Sequence, residues 1–272
     1  MITGKMFIDD VDVKSTYGAY IVDGGYDDVP AFPALKSPER NEWFESNSVE
    51  VDLSDPCVES QKISFVFKMN GDMEDLQSFV DFIMSKRSHS VNMVDIGRTR
   101  PLRVIDVSAS SISSICTIRV NMSDDEPREG VFYIEPPVVQ RKTNLLIDGR
   151  DVSYYGCVVT GSIDGLFPNV QMKENKLVDS EHIDGQIHSN SSGTYVEKDD
   201  LKIRLVMRSE STGDFWMKRD SMFFFLTKPG ERTISWKGRE SRVYYKDCNS
   251  VDFDYFGRCW WEFELTFGYI GE

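Results

Sequence analysis

The stretch Ile8-Asp9-Asp10-Val11-Asp12-Val13, followed by Tyr17-Gly18, reveals the organisation of the chain because a similar stretch occurs a second time. From residue 147 the chain reads Ile147-Asp148-Gly149-Arg150-Asp151-Val152, followed by Tyr155-Gly156. The offset is 147 − 8 = 139 residues at the isoleucines and 156 − 18 = 138 at the glycines, about half of the 272-residue chain. Solenoid repeats are only roughly 20 to 50 residues long, so this offset indicates two copies of one domain.

Other segments repeat in the same order. Each half contains a segment in which apolar residues alternate with basic or small ones, which is the period of a strand with one buried face. A helix-like apolar segment follows it, and each half ends in another alternating segment. The paired segments are residues 62–69 and 202–209, residues 73–86 and 215–228, and residues 116–122 and 261–267.

These patterns predict a mainly β fold of the α+β class. We expect two tandem β-sandwich or split-barrel domains, each with one helix packed on a sheet. The charged, turn-rich segment 123–130 and the pair Pro136-Pro137 separate the halves, so the predicted domains are residues 1–137 and 138–272.

The two predicted helices differ in character. The first, from Asp72 to about Ser85, has Asp72 as a possible N-cap and a single apolar stripe. The second, from Phe215 to Leu226, is too apolar for a helix with one buried side, so we expect it to be buried on several sides or to lie at an interface. The stripe of the first helix consists of Met73, Leu76, Phe79, Val80, Ile83 and Met84.

The charge balance limits the classes of partner. The formal net charge is −14 and the sequence pI is near 4.7, so the average surface repels phosphate backbones and anionic lipids. We therefore expect neither specific nucleic-acid binding nor membrane association. The five cysteines are scattered without a C-x-x-C pair, which predicts reduced thiols.

Motifs for catalysis, metal binding or cofactor binding are missing. The chain has no nucleophile elbow and no glycine-rich phosphate loop. The acidic stretch Asp9-Asp10-Val11-Asp12 lacks the glycine and distal glutamate of an EF-hand, so we interpret it as structural. His89, His182 and His188 are predicted to be solvated or to line loops. We predict no catalytic, metal or cofactor residues, and no enzyme activity.

The candidate interface residues come from three segments. The cluster Arg98-Thr99-Arg100-Pro101-Leu102-Arg103 is either a solvated hairpin tip or a contact to an acidic neighbouring subunit. Aromatic and proline-rich loops are also typical of subunit contacts. The proposed interface residues are Phe32, Pro33, Trp43, Arg98, Arg100 and Arg103.

The first 125 residues or so resemble phage distal tail proteins and related baseplate components with a tail-tube fold. The second half joins this resemblance only through the internal repeat. The resemblance rests on short motifs at residues 7–13, 17–18, 31–36, 41–43, 49–53 and 62–68.

The resemblance implies a structural role in a ring that continues the tail tube. With two tail-tube-like domains per chain, a trimer would form a pseudo-sixfold ring, whereas single-domain chains would need a hexamer. The implied partners are further copies of this chain, the tail tube, the tape measure, and the tail tip or fibre. The implied location is the virion tail of a phage or prophage, after assembly in the host bacterial cytoplasm.

Two alternatives remain open at this stage. One is a β-sandwich module that binds cell-surface glycans, and the other is an enzyme whose acid pair is hidden in its loops. A glycan-binding platform would consist of exposed Trp43, Trp216, Trp236, Trp260 and Trp261.

Overall fold

The fold is given by a computed structural model that describes most of the chain. The predicted boundary at Pro137, the predicted N-cap Asp72 and the predicted loop 189–195 lie outside the described residues. The described residues are 6–43, 48–70, 73–112, 115–131, 133–134, 143–164, 177–179, 182, 184, 186–188 and 200–271.

The described residues of the first half form nine strands, a short helix and a longer helix. Seven of the strands form one antiparallel sheet in the order β2-β1-β7-β8-β9-β6-β3, and β4 and β5 form a separate hairpin. The elements are β1 (Met6–Ile8), β2 (Val11–Asp12), α1 (Val13–Tyr17), β3 (Ala19–Ile21), β4 (Arg40–Trp43), β5 (Ser48–Val51), β6 (Gln61–Asn70), α2 (Met73–Met84), β7 (Ser88–Met93), β8 (Arg98–Ile112) and β9 (Ile115–Asp124).

Helix α2 covers one face of this sheet with its apolar stripe. The Phe79 ring lies 5.4 Å from that of Phe67 on β6 and 5.5 Å from that of Tyr17 on α1. Ile83 is fully buried, but Met84 is 58% exposed. The next residue on a helix is turned by about 100°, so Met84 faces away from the sheet that Ile83 contacts.

In the second half, the residues that the structure describes form nine strands and one long helix. Seven strands form a sheet in the order β11-β10-β16-β17-β18-β15-β12, which is the order of the first sheet, and β13 and β14 form a separate hairpin. The elements are β10 (Leu145–Ile147), β11 (Arg150–Asp151), β12 (Cys157–Asp164), β13 (Leu177–Asp179), β14 (Gln186–His188), β15 (Leu201–Ser209), α3 (Thr212–Thr227), β16 (Arg232–Trp236), β17 (Arg239–Asp254) and β18 (Cys259–Gly271).

The predicted fold class, mainly β with one helix packed on each sheet, is confirmed. The alternating segments at residues 62–69 and 202–209 are the strands β6 and β15. Both are interior strands, next to the edge strands β3 and β12, and their apolar side chains face the helix of their own half. The buried side chains of the two sheets form one continuous hydrophobic cluster.

Each acidic stretch forms a tight hairpin turn. Asp9 and Asp10 have φ angles of 49° and 65°, and Asp148 and Gly149 have φ angles of 49° and 74°. Positive φ at both central positions is what a type I′ turn requires, and this turn matches the twist of the strands that it joins. The β1–β2 and β10–β11 hairpins therefore begin the two sheets in the same way.

The last acid of each stretch starts a helical turn, which a left-handed glycine ends. Asp12 accepts hydrogen bonds from the amides of Lys14 and Ser15, as an N-cap does. Gly18 and Gly156 end the turns with φ angles of 69° and 73°. A Cβ atom at Gly156 would lie 2.7 Å from the Arg208 carbonyl oxygen, so glycine is required there for space as well as for conformation.

Asp9 also holds the turn against β7 through an ion pair. Its carboxylate accepts from the Ser90 amide at 3.0 Å, from His89 Nδ1 at 2.9 Å and from Lys86 Nζ at 2.8 Å. Burial opposes ionisation of Asp9, but these hydrogen bonds outweigh it and lower the pKa to about 2. His89 is 1% exposed and its Nε2 donates to the Ile83 carbonyl, so the predicted solvated role for His89 is wrong.

Asp148 makes the corresponding contacts in the second half with a different cation. It accepts from the Thr233 amide at 2.7 Å and from Arg232 Nη1 at 2.8 Å, and Lys228 Nζ lies 3.5 Å away. Burial again opposes ionisation, but these partners lower the pKa of Asp148. Arg232 is 3% exposed, so each hairpin turn is fixed by an aspartate and a buried basic side chain that donates to it.

Substitution of Asp9 by Asn tests this turn. Asp9→Asn leaves His89 buried without a carboxylate, so we expect the free energy of unfolding at pH 7 to fall by about 1 to 3 kcal/mol. The folded-state pKa lies below the ordinary 3.8, so the wild-type advantage is present above about pH 4 and is lost as the pH falls toward 2. Urea denaturation across this pH range measures it. Asp10→Asn, in the same turn, is the control, and equal losses in both variants would contradict the role of Asp9.

Candidate interaction surfaces

Helix α3 lies between the two halves and is buried on nearly all sides, as its composition predicts. Its exposed large side chain is that of Phe224, at 47%. One side of the helix packs on its own sheet, where the Phe215 ring lies 6.1 Å from that of Trp261. The other side is covered by residues of the first half. The buried residues of α3 are Phe215, Trp216, Lys218, Arg219, Asp220, Ser221, Met222, Phe223, Phe225, Leu226 and Thr227.

Phe32, in the proline-rich segment of the first half, enters the core of the second half. Its side chain is 2% exposed, and its ring lies 5.5 Å from Phe223, 5.4 Å from Trp261 and 6.0 Å from Phe263. The Tyr245 hydroxyl donates to the Pro33 carbonyl at 3.0 Å. Phe32 and Pro33 therefore make contacts within this chain, in the region where the two seven-stranded sheets meet. We term this region the seam.

Arg219 of α3 fixes the backbone that immediately precedes Phe32. Its Nε donates to the Pro30 carbonyl at 3.0 Å and its Nη2 to the Ala31 carbonyl at 2.6 Å. The guanidinium lies 5.0 Å from the centre of the Phe32 ring and is 3% exposed. A buried cation needs such partners because desolvation otherwise costs several kcal/mol.

Arg98 completes this polar network from the first half. Its Nη2 donates to the two carboxylate oxygens of Asp220 at 2.9 and 3.2 Å, and Arg219 Nη1 donates to Asp220 at 2.9 Å. Arg98 also stacks on Trp216, 4.6 Å from the ring centre, and Trp216 Nε1 donates to the Ile96 carbonyl at 2.5 Å. The acidic partner of Arg98 is thus Asp220 of the same chain.

The other predicted interface residues occupy different environments. Arg100 lies 3.7 Å from Asp124, and Arg103 donates to Asp125 at 2.6 and 2.9 Å. The cluster from Arg98 to Arg103 lies in β8, after the 3₁₀ turn Val94–Ile96 that forms the hairpin tip. Trp43 ends β4, and its side chain lies outside the described part of the structure. A contact of Trp43 or Arg103 with another subunit stays a prediction.

No motif in the sequence indicated Arg219, Asp220 or Asp27. For the first two there is a signal: charged residues inside a helix that has no polar face must have buried partners. Asp27 lies in the turn after β3, and its carboxylate accepts from the Phe253 amide at 3.2 Å. Burial raises the pKa of Asp27 to about 6. The hydrogen bond from the Phe253 amide lowers this pKa, whereas repulsion from the carboxylates of Asp252 and Asp28 raises it further.

The tryptophans do not form one exposed platform. Trp216 is 6% exposed and Trp261 is fully buried, so the expectation that all five tryptophans are exposed is wrong for these two. Trp236 and Trp260 are half-buried. A glycan-binding surface made of the five side chains is therefore not present.

An apolar groove lies along the seam, at the C-terminal end of α3. Its volume is about 310 Å³. Phe223 lies at its base, and the half-exposed Phe224 lies 5.2 Å from the ring of Tyr133, which is 40% exposed. Arg128 and Lys228 are its charged residues, and no acid is among the described residues that line it. The lining residues are Arg128, Val131, Phe223, Phe224, Thr227, Lys228 and Pro229.

A second exposed apolar surface, which we term the acidic tip, lies at the β17–β18 hairpin and consists of Val251, Asp252, Asp254, Tyr255 and Phe256. Val251 is 40% exposed and Phe256 is 54% exposed. The pKa of Tyr255 is raised to about 12 by burial and by the carboxylates around it, of which Asp254 belongs to the tip. This surface therefore combines exposed apolar side chains with negative charge.

Metal-ion clusters and membrane-spanning helices are both absent from the described residues. Within them, no group of three or more histidines, cysteines, aspartates or glutamates is placed to hold a metal ion. No helix in the described part of the chain is both long and apolar enough to cross a membrane. The five cysteines are free thiols, and four of them are buried.

No protein-family model matches this chain, and no curated protein matches it. Among solved structures, the chain is similar to the SPP1 Dit (gp 19.1) protein, described as a paradigm of the hub adsorption apparatus in phages that infect Gram-positive bacteria. That similarity covers 98% of this chain and 99% of the other, with a TM-score of 0.37 and 8% sequence identity.

Substitution of Phe32 tests the contact between the halves. Phe32→Ala leaves a cavity between Phe223 and Trp261, so we expect the free energy of unfolding to fall by about 3 to 5 kcal/mol. Chemical denaturation measures this loss. Phe256→Ala removes the same side chain from an exposed position and should cost little. Similar losses in the two variants would argue against the seam contact.

The raised pKa of Asp27 predicts a pH dependence of stability. Between the ordinary pKa of 3.8 and about 6, the folded chain keeps a proton that the unfolded chain releases, so this group's contribution falls as the pH rises through that interval. Asn accepts the same hydrogen bond without charge. Because Asp27 is only half-buried, we expect Asp27→Asn to be about 1 kcal/mol more stable than wild type above pH 6, with the difference vanishing near pH 4.

Thermal and urea denaturation from pH 4 to 7.5 measure this difference. Asp81→Asn, on the exposed side of α2, is the matched control. A constant difference between Asp27→Asn and wild type across the range would show that the charge of Asp27 does not matter.

Proposed function

We propose that this chain is a non-enzymatic structural component of a phage or prophage tail or baseplate. In this function it acts as an oligomeric ring adaptor between the tail tube and the tail tip or fibre. The observation that carries the proposal is the occurrence of one seven-strand order twice in a single chain. The resemblance of the first 125 residues or so to distal tail proteins supports it.

The proposed organisation is two tandem tail-tube-like domains, residues 1–137 and 138–272. Three such chains would supply six sheets, which favours a trimeric ring with pseudo-sixfold symmetry over a hexamer. The buried network of Phe32, Arg219, Asp220 and Arg98 supports this organisation because it would hold the two sheets of each chain at a fixed angle. A ring wall needs such rigidity, since a hinge in each subunit would prevent closure.

The acidic composition fits a conduit for DNA. With a net charge of −14, the average surface repels the phosphate backbone, so DNA passing through the ring would not adhere. The proposed place of the protein is the virion tail, after assembly in the host cytoplasm. The exposed apolar groove and the acidic tip are of the kind that assembly surfaces use.

Native mass spectrometry and negative-stain electron microscopy test this function. We expect the purified chain to form a closed ring with six lobes and a central opening, and to bind the tail-tube protein of the same phage. A chain that stays monomeric at every concentration and does not bind the tail tube would contradict the proposal. Binding to a glycan array that Trp260→Ala abolishes would instead favour the carbohydrate-binding function.

A further inference from the structure

We propose that the apolar groove at the end of α3 binds the acidic tip of a second copy of this chain. The inference rests on the proposed ring function and names the two surfaces that form its contact. The groove carries Arg128 and Lys228 beside the half-exposed Phe224. The acidic tip carries Asp252 and Asp254 beside the half-exposed Phe256.

Charge complementarity favours this occupant. The groove is lined by the cations Arg128 and Lys228, and no acid is among its described lining residues. Lys228 Nζ lies 3.5 Å from the carboxylate of Asp148. At the tip, the cation Arg258 pairs with Glu210, so the carboxylates of Asp252 and Asp254 are not balanced by it. An aromatic side chain flanked by acids thus meets an apolar groove lined by two cations, with charge steering the encounter.

The two surfaces lie at opposite ends of α3. The Phe253 ring, next to the tip, lies 5.0 Å from that of Phe215 near the start of the helix, whereas the groove is lined by Thr227 at its end. Twelve residues of helix separate Phe215 from Thr227, which is about 18 Å. One chain therefore cannot fill its own groove with its own tip.

Two different surfaces at opposite ends make a head-to-tail contact. Such contacts are heterologous, and they generate a ring when the rotation between successive copies closes. Each chain offers one groove and one tip, so every copy has a neighbour on each side. A face-to-face dimer through two grooves is disfavoured because it would bring Lys228 of one copy toward Lys228 of the next.

Single substitutions in each surface test the contact. Phe224→Glu places a carboxylate at the groove, and Phe256→Glu places one at the tip. We expect either change to weaken self-association by at least about 30-fold in sedimentation velocity and mass photometry. Met84→Glu, at a side chain that is 58% exposed on α2, is the matched control and should assemble as wild type does. Circular dichroism and thermal melting verify that each variant is folded.

Mixing the two variants gives the decisive measurement. A Phe224→Glu chain keeps an intact tip and a Phe256→Glu chain keeps an intact groove, so the mixture should form a 1:1 dimer and nothing larger. Variants that both form rings as wild type does, or a mixture without the dimer, would overturn the groove–tip contact while the ring function stands. If only one of the two variants lost the ability to assemble, the acidic tip would not be the occupant of the groove. A wild-type chain that never assembles would contradict the ring function itself.

Discussion

The structure depends on one constraint: α3 has no polar face and must be covered on both sides. Its own sheet covers one side, and the first half of the chain covers the other. Arg219 and Asp220 lie within the covered surface, where unpaired charges would cost several kcal/mol. Their partners are the Pro30 and Ala31 carbonyls and Arg98. Separating the halves would therefore expose apolar area and break a buried ionic network together, so the two sheets behave as one body.

The hairpin turns show how one local structure tolerates different partners. Asp9 and Asp148 both adopt positive φ and both accept from the strand beside them. The buried hydrogen-bond donor is His89 in one turn and Arg232 in the other. The aspartate fixes the turn, whereas the donor only has to satisfy a carboxylate and nearby carbonyls. This explains why the acids recur in the sequence while the positions opposite them differ.

The sequence predicted those features that local pattern determines. Alternation located β6 and β15, spacing located α2, and the apolar composition of residues 215–226 indicated burial on several sides. The contact of Phe32 with Trp261 could not be predicted, because no local pattern relates two positions so far apart in the chain. The same holds for Arg98 and Asp220, which are 122 residues apart. Exposure of the groove and the tip likewise depends on tertiary packing, so neither could be identified from composition.

The two halves share a strand order but not their outer surfaces, and this limits the symmetry of any assembly. α2 exposes Met84 to solvent, whereas the corresponding side of α3 is buried beneath the first half. The groove uses Arg128 from the first half and α3 from the second, so it occurs once per chain. A ring of three chains would therefore alternate two kinds of junction, the covalently linked seam and a contact between chains. Its six sheets would be related by pseudosymmetry, and only its threefold axis would relate identical surfaces.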